Sequence, residues 1–241
     1  KILFPFFDLP MIEHVRRRAL LSSLIDEVYV ATCDKEIESS IKSYGGKVII
    51  TSNSHQNGTS RIAEAVENID CSHVILLQGD EPLLLPRHID SLVNEIILNK
   101  DGDSWNATGP IESSDELDKH SFVKCSINEN NRILYCFRRS PSYSNTQDQS
   151  LYIRKILGLI AFKKSFLLEI TKKNPTRIES LEFIEQMRII ENGYSMISVP
   201  VSPSLPSVNE PDEANIVIDY IKNNKEQKEL LNKILKKTVK Y

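Results

Sequence analysis

The segment His73-Val74-Ile75-Leu76-Leu77-Gln78-Gly79-Asp80-Glu81-Pro82 places two carboxylates directly after an apolar run. An unbroken apolar run with β-branched members suits a strand buried on both faces. Gly79 ends it, and Pro82 keeps Glu81 extended. In open α/β sheets, ligands sit at the carboxyl edge of such strands. Asp80 is a good ligand for a hard cation, and Mg²⁺ is typically held by one or two carboxylates together with substrate phosphates. The competing reading is an acidic surface turn after a core strand.

A second stretch, His55-Gln56-Asn57-Gly58-Thr59-Ser60-Arg61, lies between a predicted strand and a predicted helix. Asn57, Gly58 and Thr59 are ordinary helix-start residues, and capping alone explains them. The same residues could meet a polar ligand with free backbone N–H groups and the Arg61 cation. Taken alone, this stretch favours capping.

The elements that carry these residues alternate. Glu27 to Thr32 is a predicted strand, Lys35 to Tyr44 a helix, Lys47 to Thr51 a strand, Gly58 to Ile69 a helix and Pro86 to Leu98 a helix. Strand alternating with helix implies a doubly wound, mostly parallel sheet. Ahead of them, Met11, Ile12, Val15, Leu20, Leu21 and Leu24 form one face of a helix, with Arg16, Arg17 and Arg18 largely on the other. Such a sheet usually opens on a strand, so a leading strand and its loop are expected before Lys1. From Asn106 the pattern becomes strand-rich: Ala107 to Ile111, Val123 to Ile127, Arg132 to Phe137 and Ile153 to Phe162. Ser140 to Ser150 is polar and aperiodic and is expected to be a mobile loop. Lys163 to Lys173 and Glu179 to Glu191 are predicted helices, the second closed by Gly193. Met196 to Val201 is a strand, Pro211 opens another helix, and the tail from Lys222 is expected to be a loosely packed helix.

With 241 residues and 40% hydrophobic residues, the chain is long enough for one large α/β domain or one with a smaller insert. A net charge of −3, from 30 basic and 33 acidic residues, argues against nucleic-acid binding by bulk charge. Cys33, Cys71, Cys125 and Cys136 lack metal or redox spacing and read as reduced core thiols of a cytoplasmic protein. No apolar run reaches the ~20 residues of a membrane span.

These motifs together resemble the 3-deoxy-manno-octulosonate cytidylyltransferase (CMP-Kdo synthetase) family, over nearly the whole chain. His55 to Arg61 is similar to that family's His-x-Ser-Gly-Thr-(Glu/Asp)-Arg, and Gln78 to Pro82 to its Gln-Gly-Asp-Glu-Pro. Asp8-Leu9-Pro10-Met11-Ile12 resembles Gly-Lys-Pro-Met-Ile, and Phe137 to Pro141 resembles Phe-Ser-Arg-Ala-Pro. Lys155 to Gly158, Leu181 to Arg188 and Val208 to Asp212 also have counterparts there. The resemblance implies a nucleotidyltransferase, Rossmann-like α/β fold with a smaller mixed α+β part for sugar binding and dimerisation. The expected division is 1–105 for the nucleotide, 106–200 for sugar and dimer contacts, and 201–241 for a return to the main sheet and a helical tail.

The implied reaction joins CMP from CTP to a 2-keto-3-deoxy sugar acid, with Mg²⁺ as cofactor, in a cytoplasmic homodimer with no nucleic-acid partner and no membrane span. Asp80 matches the metal ligand and, with Gln78, the catalytic positions. Lys1, Gly58, Thr59, Arg61 and Gln78 match nucleotide contacts. Arg139, Glu185 and Gln186 match sugar contacts, with Glu185 and Gln186 on one helix. The sequence also departs from the pattern. Asn209 stands at the second metal aspartate, with Glu210 beside it. Ile156 stands at a sugar-contacting histidine. Of the triphosphate-cradling loop only Lys1 is matched. The sequence favours an enzyme whose loop precedes Lys1, over a non-catalytic paralogue and over a transferase for a related acid sugar.

Overall fold

The computed structural model describes residues 1–208 and 213–236. A hairpin of β1 (Pro5–Phe6) and β2 (Leu9–Pro10) leads into α1 (Met11–Ala19). Then follow β3 (Tyr29–Thr32), α2 (Lys35–Ser43), β4 (Lys47–Ile50), α3 (Gly58–Val66), β5 (His73–Leu77) and α4 (Pro86–Leu98). Next come β6 (Ser104–Gly109), α5 (Asp115–Asp118), β7 (Lys124–Ile127), β8 (Ile133–Phe137), α6 (Thr146–Gln149) and β9 (Ile153–Lys163). The last elements are α7 (Lys164–Ile170), α8 (Arg177–Glu182), α9 (Gln186–Glu191), β10 (Met196–Pro200), α10 (Glu213–Asn223) and α11 (Lys225–Lys236). The expected α/β class is present, with a mixed sheet.

The chain divides into two units. Unit 1 takes residues 1–65, 77–90 and 205–241; unit 2 takes 66–76 and 91–204. Residues 91–105 thus group with the strand-rich middle, and the C-terminal stretch groups with the first 65 residues.

In unit 1, β3 and β4 pair in parallel, and Phe6, Met11, Leu83, Val208, Ala214, Val217 and Ile221 form a core. The hairpin turn puts Phe7 at φ 44° and Asp8 at φ 67°. Two successive positive φ values match a turn whose twist suits the strands, one usually built from Asn-Gly. No such dipeptide flags it here.

Helix α1 corrects an expectation. Arg16, Arg17 and Arg18 do not face solvent, because all nine residues of the helix are buried. Arg17 Nη1 donates to Ile234 O at 2.7 Å, and Arg18 Nη1 to Gln227 Oε1 at 2.7 Å and Leu84 O at 3.2 Å. Gln227 Nε2 in turn donates to Leu83 O at 2.9 Å. The tail is therefore packed against α1, with Gln227, Leu230 and Ile234 buried. Glu13, fully buried, supplies the counter-charge, taking Arg16 at 2.7 Å and Arg17 at 2.5 Å. Arg17 also meets a last-turn carbonyl of α11, where a cation suits the helix dipole.

His14, on the same helix, is buried and has its pKa lowered to about 4, chiefly by desolvation. Between about pH 6.5 and 4 the unfolded chain binds a proton that the folded chain refuses. Stability should therefore fall as pH drops through that window, by about 3 kcal/mol at its acid end. Urea titrations at pH 7 and 4.5 check this. A His14→Gln variant should lose most of the pH dependence in that range, and a variant with the parent's dependence would assign the effect elsewhere.

Unit 2 is built on a sheet of order β10-β6-β9-β7-β8, with β5 also paired to β9. β10 runs parallel to β6, whereas the β6–β9, β7–β9 and β7–β8 pairs are antiparallel. A register shift between Asn106 and Thr108 makes a bulge in the β6–β9 pair. β5 is less enclosed than its apolar run suggested, since only Leu76 in it is buried.

The predicted helix from Glu179 to Glu191 is two helices. Phe183 takes a left-handed conformation, φ 54°, and ends α8. Arg138 donates to the freed carbonyls of Glu182 at 2.8 Å and Phe183 at 3.0 Å, which answers the helix-end deficit. Arg188 grips Glu179 through Nε at 2.8 Å and Nη2 at 2.6 Å, joining the two helices. At the far end Gly193 N and Tyr194 N bond Ile190 O and Ile189 O, and Gly193 has φ 80°, as its position predicted.

The loop expected over 140–150 is likewise structured. It contains α6, and Gln149 is buried with bonds from Ser140 Oγ and to Ser144 O. Of the cysteines, Cys125 and Cys136 are buried as expected, but Cys33 is exposed and Cys71 half-buried, and all are free.

Candidate active site

In unit 1 the turn after β5 presents Asp80. Gly79 allows that turn, since a Cβ on it would stand 3.0 Å from Ile12 Cδ1. The Asp80 carbonyl accepts from Val208 N at 3.0 Å, which ties the turn to the chain just before residue 209. Asp80 Oδ2 lies 2.9 Å from Lys1 Nζ, and the carboxylate keeps about a fifth of its surface exposed (21%). The expected metal ligand and one expected nucleotide contact are thus side by side, and Gln78 is exposed two residues before Asp80.

The start of α3 is organised by its own contacts. Asn57 Oδ1 accepts from Ser60 N at 2.9 Å, the capping expected of it. Arg61 Nη1 donates to Thr51 Oγ1 at 2.7 Å and to Ser52 O at 3.3 Å. Gly58 is exposed as the first residue of the helix, and Thr59 has partners of its own. Glu64, which the sequence did not single out, binds His55 and both its oxygens accept from Ser52 N. The His55 contact, first among the causes, lowers the Glu64 pKa. Arg61 therefore steadies the loop between β4 and α3 through Thr51 and Ser52.

Asp80 suits a hard divalent cation. It offers a partly exposed carboxylate beside a cationic group, the Lys1 ammonium, and such cations take one or two carboxylates together with water and phosphate oxygens. Among the described residues no group of three or more His, Cys, Asp or Glu gathers. Asn209, the other expected ligand, lies outside the described residues.

In unit 2, Gln186 opens α9 and Glu185 is its N-cap residue, so the two share a helix start rather than a helix face. Gln186 Nε2 donates to Asn106 Oδ1 at 3.2 Å. Asn106 Nδ2 in turn donates to Ala107 O at 2.8 Å and Leu157 O at 3.0 Å. Both carbonyls lie at the β6–β9 bulge, where the ladder is locally interrupted. Asn106 thus fixes Gln186 while filling the bulge, and leaves the Gln186 carbonyl oxygen to accept from a ligand hydroxyl. Arg139 is largely exposed (81%) and meets Asp118 at 3.1 Å. Arg138, its neighbour, reaches Glu182 and Phe183 and so brings this segment to the α8–α9 junction. Asn106 and Arg138 were both invisible in the sequence, because their roles depend on strand register and on the break at Phe183.

Asn106→Ala should leave the bulge carbonyls unpaired and release Gln186. A loss of about 1–3 kcal/mol in stability is expected, with weaker binding at Gln186. Denaturant melts measure the first, and a change under about 0.5 kcal/mol would mean that water replaces the amide without cost.

The chain is similar to known proteins over most of its length. A family model described as cytidylyltransferase matches residues 1–198. A 3-deoxy-manno-octulosonate cytidylyltransferase of Fusobacterium nucleatum is 35% identical over 215 residues, 89% of this chain and 87% of its own. An 8-amino-3,8-dideoxy-manno-octulosonate cytidylyltransferase of Shewanella pealeana is 37% identical over 214 residues, 86% of each chain. A solved structure of CMP:2-keto-3-deoxy-manno-octonic acid synthetase complexed with CTP superposes with a TM-score of 0.86 at 29% identity, covering 92% of this chain and 91% of that one. The chain belongs to the cytidylyltransferase family, and within it to the 3-deoxy-manno-octulosonate cytidylyltransferases.

Proposed function

We propose that the protein transfers CMP from CTP to the anomeric hydroxyl of 3-deoxy-manno-octulosonate. The anomeric oxygen forms a bond to the α-phosphorus, the bond to the β-phosphate oxygen breaks, pyrophosphate leaves and the hydroxyl proton passes to solvent. Phosphoryl and nucleotidyl transfers of this kind depend mostly on positioning and charge neutralisation. The observation that carries the reading is the Lys1–Asp80 pair at the end of β5. A cation beside a metal-competent carboxylate supports the handling of a triphosphate and its counter-ion at this turn.

Each residue has a task in this reading. Lys1 neutralises phosphate oxygens when it leaves Asp80. Asp80 and Asn209 would hold Mg²⁺, which would supply charge neutralisation for the phosphates. Gly58, Thr59 and the loop steadied by Arg61 receive the nucleotide, with Gln78 beside it. Gln186 accepts from a sugar hydroxyl, Glu185 does the same, and Arg139 meets the acid from solvent. We further infer a cytoplasmic homodimer acting in lipopolysaccharide-type sugar activation. No helix among the described residues is long and apolar enough to cross a membrane.

The Shewanella pealeana relative supports a second substrate, the 8-amino sugar acid, for the same chemistry. Pyrophosphate release with CTP and Mg²⁺, run with each acid sugar in turn, tests both. The higher kcat/KM names the substrate. No release with either sugar, from folded protein, would favour the non-catalytic paralogue.

A further inference from the structure

Unit 2 contains a guanidinium that no acid answers. Arg154 lies on β9, its Nε 2.8 Å from Thr108 Oγ1 and its Nη2 3.2 Å from Thr108 O. Thr108 is itself buried and held to Ser198 Oγ at 2.7 Å. These bonds occupy one edge of the guanidinium. The other edge, Nη1 with the second Nη2 proton, has no partner among the described residues, and no carboxylate there lies within ion-pair distance. The residue opposite is Cys125, whose thiol is pushed up to about 12 by burial and so carries no charge at neutral pH. Half-burial without a counter-ion also lowers the pKa of Arg154.

An open guanidinium edge fits a carboxylate with two parallel bonds. We propose that Arg154 fixes the carboxylate of the acid sugar, an inference that rests on the reading of the protein as an acid-sugar cytidylyltransferase. Its location agrees with that role. Thr108, which orients Arg154, is two residues along β6 from Asn106, which orients Gln186. Two residues of strand span roughly 7 Å, so a single sugar can reach both groups. Ile156 is opposite Thr108 in the ladder and shares a strand face with Arg154. It offers no hydrogen bond, which leaves Arg154 as the polar group on that face of this part of β9. Arg139, by contrast, is mostly exposed and paired with an aspartate that is also mostly exposed. It is free to reorient, whereas Arg154 is held in place before a ligand arrives.

The test compares Arg154→Met, Arg154→Lys and Arg139→Met with the parent, using CTP and 3-deoxy-manno-octulosonate. Arg154→Met should raise KM for the sugar acid roughly 10–100-fold, as expected for loss of a charge-assisted hydrogen bond. KM for CTP should stay within about twofold of the parent's. Arg154→Lys, which keeps the charge but loses the fork, should be intermediate, and Arg139→Met should change the sugar KM less than Arg154→Met does. If the Met variant does not fold by thermal melt, the Lys variant is read in its place. An unchanged sugar KM in the folded Arg154 variant, or equal rises for both substrates, would overturn the assignment while leaving the proposed reaction standing. A parent that turns over neither acid sugar would remove the reaction, and this inference with it.

Discussion

Asp80→Asn is expected to abolish CMP-sugar formation while leaving the fold in place. The turn that carries residue 80 is held through backbone, by Val208 N on the Asp80 carbonyl, and the substitution does not touch that bond. What it removes is a formal charge. Asn offers one neutral oxygen where a hard cation prefers a carboxylate. A metal at a phosphoryl centre contributes several kcal/mol of charge stabilisation. Losing that corresponds to roughly 10³-fold or more in rate. The expected result is a circular dichroism spectrum and melting point like the parent's, with pyrophosphate release reduced by that order. The Mg²⁺ concentration for half-maximal rate should also rise in any residual activity. Turnover within about threefold of the parent, with unchanged Mg²⁺ dependence, would remove Asp80 from the metal site and return it to a surface turn paired with Lys1.

Glu13→Ala should produce the largest loss of stability. Glu13 is fully buried and pairs with Arg16 and Arg17, while Arg18 finds only Gln227 and a backbone carbonyl nearby. Without the carboxylate, the helix would carry buried guanidinium groups with no counter-charge. Removing one member of a buried ion pair typically costs about 3–5 kcal/mol, because the partner stays charged and desolvated. In a chain of this length that corresponds to a fall in melting temperature on the order of 10 °C. Calorimetry reads it directly. Pairing the change with Arg16→Met should recover part of the loss, since an apolar pair does not incur that penalty. A single variant within about 2 °C of the parent would show that water or main-chain groups already solvate the arginines.

The strands and helices from Tyr29 to Leu98 were legible because they are local patterns. Asp80 could be placed at a strand end, and Lys35–Ser43 and Pro86–Leu98 could be placed as helices, without knowledge of anything distant. Arg16 to Arg18 were misplaced for the opposite reason. Arg17 and Arg18 meet Ile234 and Gln227, more than two hundred positions away, while Arg16 meets the Tyr44 carbonyl, and an amphipathic pattern cannot register elements packed on the polar side. The split of the 179–191 helix escaped notice because Phe183, not a glycine, takes the left-handed conformation. The Phe7-Asp8 turn was hidden in the same way. In the candidate site, the side chains proposed to meet the ligands were visible by type, but the ones that orient them were not. Asn106 and Arg154 acquire roles only once a bulge and a ladder register place them, and neither can be read from spacing.

The clasp between α1 and α11 bears on how the chain is made. Residues 91–204, which supply most of unit 2, leave the ribosome as one continuous stretch and contain β6 to β10, with only β5 joining their sheet from earlier in the chain. Helix α1 of unit 1 is made first, but the α11 groups that receive Arg17 and Arg18 are translated more than two hundred residues later. Domains generally fold as units, N-terminal ones first. Here the order is inverted: the middle can close while the beginning waits, with three arginines and a glutamate still in water. A nascent chain halted before Gln227 should therefore protect its central sheet from protease and leave its first helix open to cleavage.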